Sequence, residues 1–96
     1  VLKKDKGIVT KFAEAYSPKT GICLEAFTDL PGVQLYAGNF ITPQKGKGGA
    51  SYDKRWGFCL ETQYYPNSMN QLGFAKPILR AGENYETTTC YKFSVR

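Results

Sequence analysis

The 96-residue chain contains no histidine. No imidazole can ligate a metal, relay a proton or activate a cysteine from within it. Its three cysteines, Cys23, Cys59 and Cys90, are widely spaced and form no C-x-x-C pair. A zinc site and a catalytic thiol are thereby disfavoured. No apolar run approaches the roughly 18 residues a membrane helix needs, and no membrane partner is expected. Helical periodicity of useful length, repeats and low-complexity tracts are lacking too. Lys3, Lys4 and Lys6 are not followed by a hydrophobic run, so a signal peptide is not expected. The chain begins on Val1 rather than Met, which suggests a processed or truncated polypeptide.

What is present fits a folded domain. The composition is 42% hydrophobic, 15% aromatic and 22% charged, which excludes intrinsic disorder. The length allows one domain, residues 1–96. Thirteen Lys and Arg against eight Asp and Glu give +5. The basic residues gather at the N-terminus (Lys3, Lys4, Lys6) and around a glycine-rich loop (Lys45, Lys47, Lys54, Arg55). Both groups read as solvated charge. Without an aromatic RNA-binding signature beside them, no nucleic acid is expected as partner. The loop Gly46-Lys47-Gly48-Gly49 lacks the spacing of a phosphate cradle. Three thiols in separate strand-like runs read as buried and unpaired, in a reducing, cytoplasmic setting.

The texture is β throughout. Runs rich in Val, Ile, Thr, Tyr and Phe are bounded by Gly, Pro, Asn and Asp. Strands are predicted over Ile8–Tyr16, Ile22–Thr28, Val33–Tyr36, Gly57–Tyr65 and Asn84–Val95. Ser17-Pro18-Lys19-Thr20-Gly21 reads as the turn of a hairpin. Thr42–Asp53 reads as a loop. The last run alternates with period two over a dozen residues, the strongest local signal in the chain. Such a strand calls for a partner of matching length. The fold class is all-β and antiparallel, either half of a sandwich or a small barrel.

Two polar residues on strands are candidates for chemistry. Glu61 shares a strand face with Cys59, Gln63 and Tyr65. Enclosed there, its carboxyl would be tuned toward general-base work by desolvation; on a sandwich's outer face it would be an ordinary exposed Glu. Gln34 follows the Pro31-Gly32 turn, near Tyr36 and Asn39. Amides that pair hydroxyls and rings that stack on C–H groups make sugar sites, but from local pattern alone a Gln exposed on a short strand is the simpler reading. Trp56, Tyr64 and Tyr65 are sugar platforms or core.

Read in order, several segments resemble the aldose 1-epimerase (galactose mutarotase) family. They are Thr28-Asp29-Leu30-Pro31-Gly32-Val33-Gln34-Leu35-Tyr36-Ala37-Gly38-Asn39-Phe40, Gly57-Phe58-Cys59-Leu60-Glu61-Thr62-Gln63 and Tyr65-Pro66-Asn67-Ser68-Met69-Asn70. Pro77-Ile78-Leu79-Arg80-Ala81-Gly82-Glu83-Asn84-Tyr85 and Tyr91-Lys92-Phe93-Ser94-Val95 continue the match. The resemblance covers nearly the whole chain. It implies an antiparallel β-sandwich of the mutarotase-like type (a supersandwich), of which this chain is the C-terminal part. It also implies interconversion of the α and β anomers of free aldoses such as glucose or galactose, without cofactor or metal. By the same resemblance Glu61 is the general base and Gln34 a substrate-binding residue.

The family's general acid is a histidine from an earlier segment, as are other sugar-site residues. This chain has none, so the remainder of the enzyme or a complementary chain must supply it. Asn67 stands where many members have Asp, and Ala81 where many have Pro, both near turns. Two other readings stand beside the enzyme: a non-catalytic carbohydrate-binding sandwich, and a small basic barrel for nucleic acid.

Overall fold

A computed structural model describes residues 1–2 and 7–96. The solvated-charge expectation for Lys3, Lys4 and Lys6 lies outside the described residues.

Strands β1 (Thr10–Tyr16) and β2 (Ile22–Thr28) form the expected hairpin. Its turn is closed by the Gly21 N–H donating to the Ser17 carbonyl at 2.8 Å and the Ser17 N–H donating to that of Ile22 at 2.9 Å. Gly21 sits at φ +75°, and a Cβ there would stand 2.8 Å from the Arg96 carbonyl oxygen, so glycine is required on both counts. Phe12 is the extra residue of a bulge between Lys11 and Ala13.

Five more strands follow: β3 (Gly32–Tyr36), β4 (Gln44–Lys45), β5 (Ser51–Tyr52), β6 (Cys59–Gln63) and β7 (Thr89–Val95). They form three sheets, ordered β1-β2-β7, β3-β6 and β4-β5, and every pairing is antiparallel. The chain is all-β, with two single 3₁₀ turns, Lys47–Gly49 and Ser68–Asn70, as the only helical pieces among the described residues.

Two expectations are corrected. The final strand starts at Thr89 rather than Asn84, and β2 matches its whole length, from Ile22↔Val95 to Thr28↔Thr89. Before Thr89 the backbone is held by a side chain instead of a strand. The Asp29 carboxylate accepts from the Thr87 hydroxyl at 2.5 Å and from the Thr88 N–H at 3.1 Å. The stretch 42–53, expected to be a loop, holds the short β4-β5 hairpin, in which the Gly46 N–H donates to the Ala50 carbonyl at 2.6 Å.

The β1-β2-β7 sheet has two unlike faces. By register, Glu14, Glu25 and Lys92 align across one of them. There Lys11 pairs with Glu14 (2.5 Å) and Glu25 (2.7 Å), Lys92 with Glu25 (2.9 Å), and Arg96 with Glu14 (2.8 Å). The opposite face carries Ile22, Leu24, Ala26, Tyr91, Phe93 and Val95. Phe93 is 69% exposed and Val95 78%.

Among the described residues the buried apolar side chains are Cys23, Ala26 and Leu30. The Cα radius of gyration is 16.7 Å, against about 12.5 Å for a compact domain of this length. A sheet charged on one face and apolar on the other calls for a second layer against its apolar side.

Candidate active site

The β3-β6 ladder carries both candidate residues. Its register pairs Gly32 with Gln63, Val33 with Thr62, Gln34 with Glu61, Leu35 with Leu60 and Tyr36 with Cys59. Directly opposed residues project from the same side of an antiparallel pair. Gln34 and Glu61 are therefore immediate neighbours on one face, with Tyr36 and Cys59 on one side of them and Gly32 and Gln63 on the other.

The other side of the ladder is fastened to the first sheet. The Thr62 and Thr89 hydroxyls lie 2.7 Å apart, and Thr89 also meets the buried Thr28 hydroxyl at 3.1 Å. Tyr91 donates its hydroxyl to the Leu60 carbonyl at 2.7 Å. At the entry to β3, the Leu30 N–H donates to the Thr28 hydroxyl at 3.2 Å, and Leu30 is buried. These contacts fix the ladder from behind and leave the Gln34–Glu61 face pointing away from the first sheet.

Glu61 and Gln34 are both exposed, so the described residues do not provide the enclosure considered for that face. The ion pairs of the described residues engage Glu14 and Glu25 on the first sheet, not Glu61. What the pair offers is a carboxylate able to accept a proton beside an amide able both to donate and to accept. Among the described residues no three His, Cys, Asp or Glu side chains come together as a metal cage.

The aromatic candidates divide. Tyr65 is half-buried, edge-on to Phe74 with ring centroids 4.9 Å apart. Tyr64 is half-buried, and Trp56 is 70% exposed. Trp56 lines a shallow recess of about 550 Å³ with Ala37, Asn39, Arg55, Gly57 and Phe58, at the Tyr36–Cys59 end of the ladder. Arg55, which no pattern in the sequence singles out as a site residue, clasps this recess. It adopts a left-handed φ of +64°, its N–H donates to the Gly38 carbonyl at 3.1 Å, and its Nε donates to Asn39 Oδ1 at 3.0 Å. Tyr36 stacks on Phe40, and its hydroxyl accepts the Phe40 N–H at 3.1 Å.

All three cysteines are unpaired, as expected, but only Cys23 is buried. Cys59 is exposed on the open Glu61 face; Cys90 and Cys23 share the charged face of the first sheet, but Cys90 is on the edge strand β7 and Cys23 on the central strand β2, flanked on both sides.

Comparison with known proteins places these features in a family. The family model for aldose 1-epimerase matches residues 2–92. Human galactose mutarotase is 50% identical over 84 residues, covering 86% of this chain and 25% of that protein. The Mus musculus galactose mutarotase is 48% identical over 93 residues, covering 96% of this chain and 26% of that protein. An aldose 1-epimerase of Escherichia coli (strain K12) is 32% identical over 83 residues, covering 84% of this chain and 24% of that protein. The chain thus spans about a quarter of the length of the curated relatives it matches. With a family-model match along nearly its whole length and relatives up to 50% identical, the chain belongs to the aldose 1-epimerase family.

Proposed function

We propose that the protein carrying this chain interconverts the α and β anomers of free aldoses, with Glu61 as general base and Gln34 as a sugar-binding residue. The observation that carries this reading is the direct pairing of Gln34 with Glu61 across the β3-β6 ladder. Opposed residues of such a pair have Cα atoms about 5 Å apart. An aldose whose ring hydroxyl is held by the Gln34 amide therefore brings its C1 hydroxyl within reach of the carboxylate.

The steps balance as follows. Glu61 removes the proton from the C1 hydroxyl while an acid protonates the ring oxygen. The C1–O5 bond breaks and leaves the open-chain aldehyde. Rotation about C1–C2 presents the other carbonyl face, and closure with the proton transfers reversed gives the other anomer. Each positioned acid or base contributes typically about 10²–10⁴-fold.

The chain has no histidine, and the acid comes from polypeptide beyond this segment. The apolar face of the first sheet, with Ile22, Tyr91, Phe93 and Val95, is where the rest of the sandwich packs. The three unpaired thiols fit a reducing, cytoplasmic setting.

A second reading is a carbohydrate-binding sandwich without turnover. It is favoured by an exposed carboxylate–amide pair flanked by aromatic rings in a segment with no acid partner of its own. Polarimetry on the complete protein separates the two. The epimerase speeds the optical-rotation decay of fresh α-D-galactose or α-D-glucose beyond the spontaneous rate; the binding module saturates with sugar and leaves the decay unchanged.

A further inference from the structure

The ring of Tyr65 stands on the same face as Gln34 and Glu61. The ladder ends at Gln63 and the backbone bends at Tyr64, so the position of the ring is fixed by its contact with Gly32. Across the ladder Gln63 is paired with Gly32, which is buried. A Cβ at Gly32 would meet Tyr65 Cδ1 at 3.0 Å, Tyr65 Cε1 at 3.1 Å and the Gln63 carbonyl oxygen at 3.2 Å. The Tyr65 ring thus occupies the space where a side chain at position 32 would stand, one step along the face from Gln34.

The ring is held there. Phe74 packs edge-on at 4.9 Å with an interplanar angle of 71°. The Tyr65 carbonyl accepts the Ser68 N–H at 3.2 Å and also the Ser68 hydroxyl. At the far end of the face Tyr36 is braced by its stack on Phe40, with centroids 6.5 Å apart. Gly32 and Tyr36 are four residues apart on one strand, or about 13 Å between Cα atoms at roughly 3.3 Å per residue. The carboxylate and the amide lie midway between the two aromatic ends.

We propose that Tyr65 is a specificity-determining wall of the sugar site, which selects aldoses by stacking on their C–H-rich face, and that Gly32 is there to admit its ring. This rests on the anomer-exchange reading of the Gln34–Glu61 pair. The chemistry names the favoured class. In the galacto configuration the axial 4-hydroxyl leaves the C3, C4 and C5 hydrogens as one continuous apolar patch on the opposite face. In the gluco configuration the C–H bonds alternate between faces. An aromatic wall discriminates in favour of the first, and a stack of this kind is expected to be worth a few-fold to about tenfold in affinity.

The test is steady-state mutarotation of α-D-galactose and α-D-glucose by the complete protein, comparing wild type with Tyr65→Phe, Tyr65→Leu and Gly32→Ala. Tyr65→Phe keeps the ring and holds both KM values within about twofold. Tyr65→Leu raises the KM for galactose about three- to tenfold, raises that for glucose less, and leaves kcat within about threefold. Gly32→Ala displaces the ring and follows the leucine variant; if Tyr65→Leu does not fold, Gly32→Ala alone decides. An unchanged galactose KM, an equal rise for both sugars, or a loss confined to kcat overturns the proposal. If these variants behave as neutral while Glu61→Gln abolishes turnover, the wall alone is wrong; if Glu61→Gln retains turnover, the underlying reading falls with it.

Discussion

Gln34 and Glu61 are direct cross-strand partners, so the spacing between amide and carboxylate is set by a backbone ladder rather than by two independent loops. Rigid strands hold a site more tightly than loops do. The ladder itself is pinned from behind by Thr62 on Thr89 and by Tyr91 on the Leu60 carbonyl.

In the complete protein, Glu61→Gln is expected to lower kcat by more than tenfold, over about 1.4 kcal/mol, with sugar affinity kept within a few-fold. The amide preserves shape and most hydrogen bonding but cannot take the C1 proton. Gln34→Ala removes a positioning contact, and a raised KM accompanies a smaller fall in rate. Glu86→Gln, outside the ladder, is the neutral control. Polarimetric rates corrected for spontaneous mutarotation decide it; a Glu61→Gln enzyme keeping more than about a tenth of wild-type kcat removes Glu61 as base.

The thiols separate by exposure. A chromogenic disulfide reagent should titrate Cys59 and Cys90 rapidly in the folded chain and Cys23 only after denaturation, giving three under non-reducing conditions. In the complete protein Cys59→Ser retains turnover, since the thiol has no part in the proton transfers. Saturating sugar should slow labelling at Cys59, two residues from Glu61 on the same face. A disulfide, or loss of turnover in Cys59→Ser, contradicts this.

The charged sheet face sets an acid limit on stability. Hydrogen bonding from Lys11, then from Lys92, lowers the Glu25 carboxyl from 4.5 to about 2, and Lys11 with Arg96 lowers that of Glu14. A carboxyl depressed in the folded state binds its proton more tightly when unfolded. Its stabilising contribution is thus whole above about pH 4.5 and is lost as the pH falls toward 2. The urea midpoint should drop through that window, less steeply in Glu25→Gln and less steeply in high salt, because the pairs are exposed. A midpoint as pH-dependent in Glu25→Gln as in wild type would show that the network does not act in this way.

Much of this was legible in residues. Ile22–Thr28 reads as a strand and is one, because apolar alternation and the Ser17–Gly21 turn agree on its limits. Asn84–Val95 reads too long, since period two records extended backbone and not a ladder; between Thr87 and Thr88 the partner is the Asp29 carboxylate, 58 and 59 positions away. Two-residue strands such as Gln44–Lys45 leave no periodic trace and pass for loop. Glu61 and Gln34 could each be singled out by residue type, but their adjacency is a property of register, which single-strand patterns do not contain. The exposure of Cys59 and Cys90 escapes the pattern for a related reason: a strand residue's burial depends on what covers its face and on whether its strand is central or at an edge, and neither is written in its own run.

The part of the apolar face that the β3-β6 ladder leaves exposed gives the last expectation. Ile22, Leu24, Tyr91, Phe93 and Val95 share one side of the β1-β2-β7 sheet, and four of them, Leu24 being the exception, are large and exposed. Covering one such side chain stabilises by roughly 1.5–3 kcal/mol, so the isolated 96-residue chain is expected to self-associate through this face. Multi-angle light scattering over a concentration series should show species heavier than the 10.7 kDa chain. Phe93→Lys places a charge in the middle of the patch and should shift the distribution toward monomer; Lys19→Glu, in the β1–β2 turn, should not. Co-expression with the remaining polypeptide of the complete protein should suppress the association, because the same side chains then pack into the sandwich. A monodisperse 10.7 kDa monomer with a cooperative melt would mean that this sheet needs no second layer.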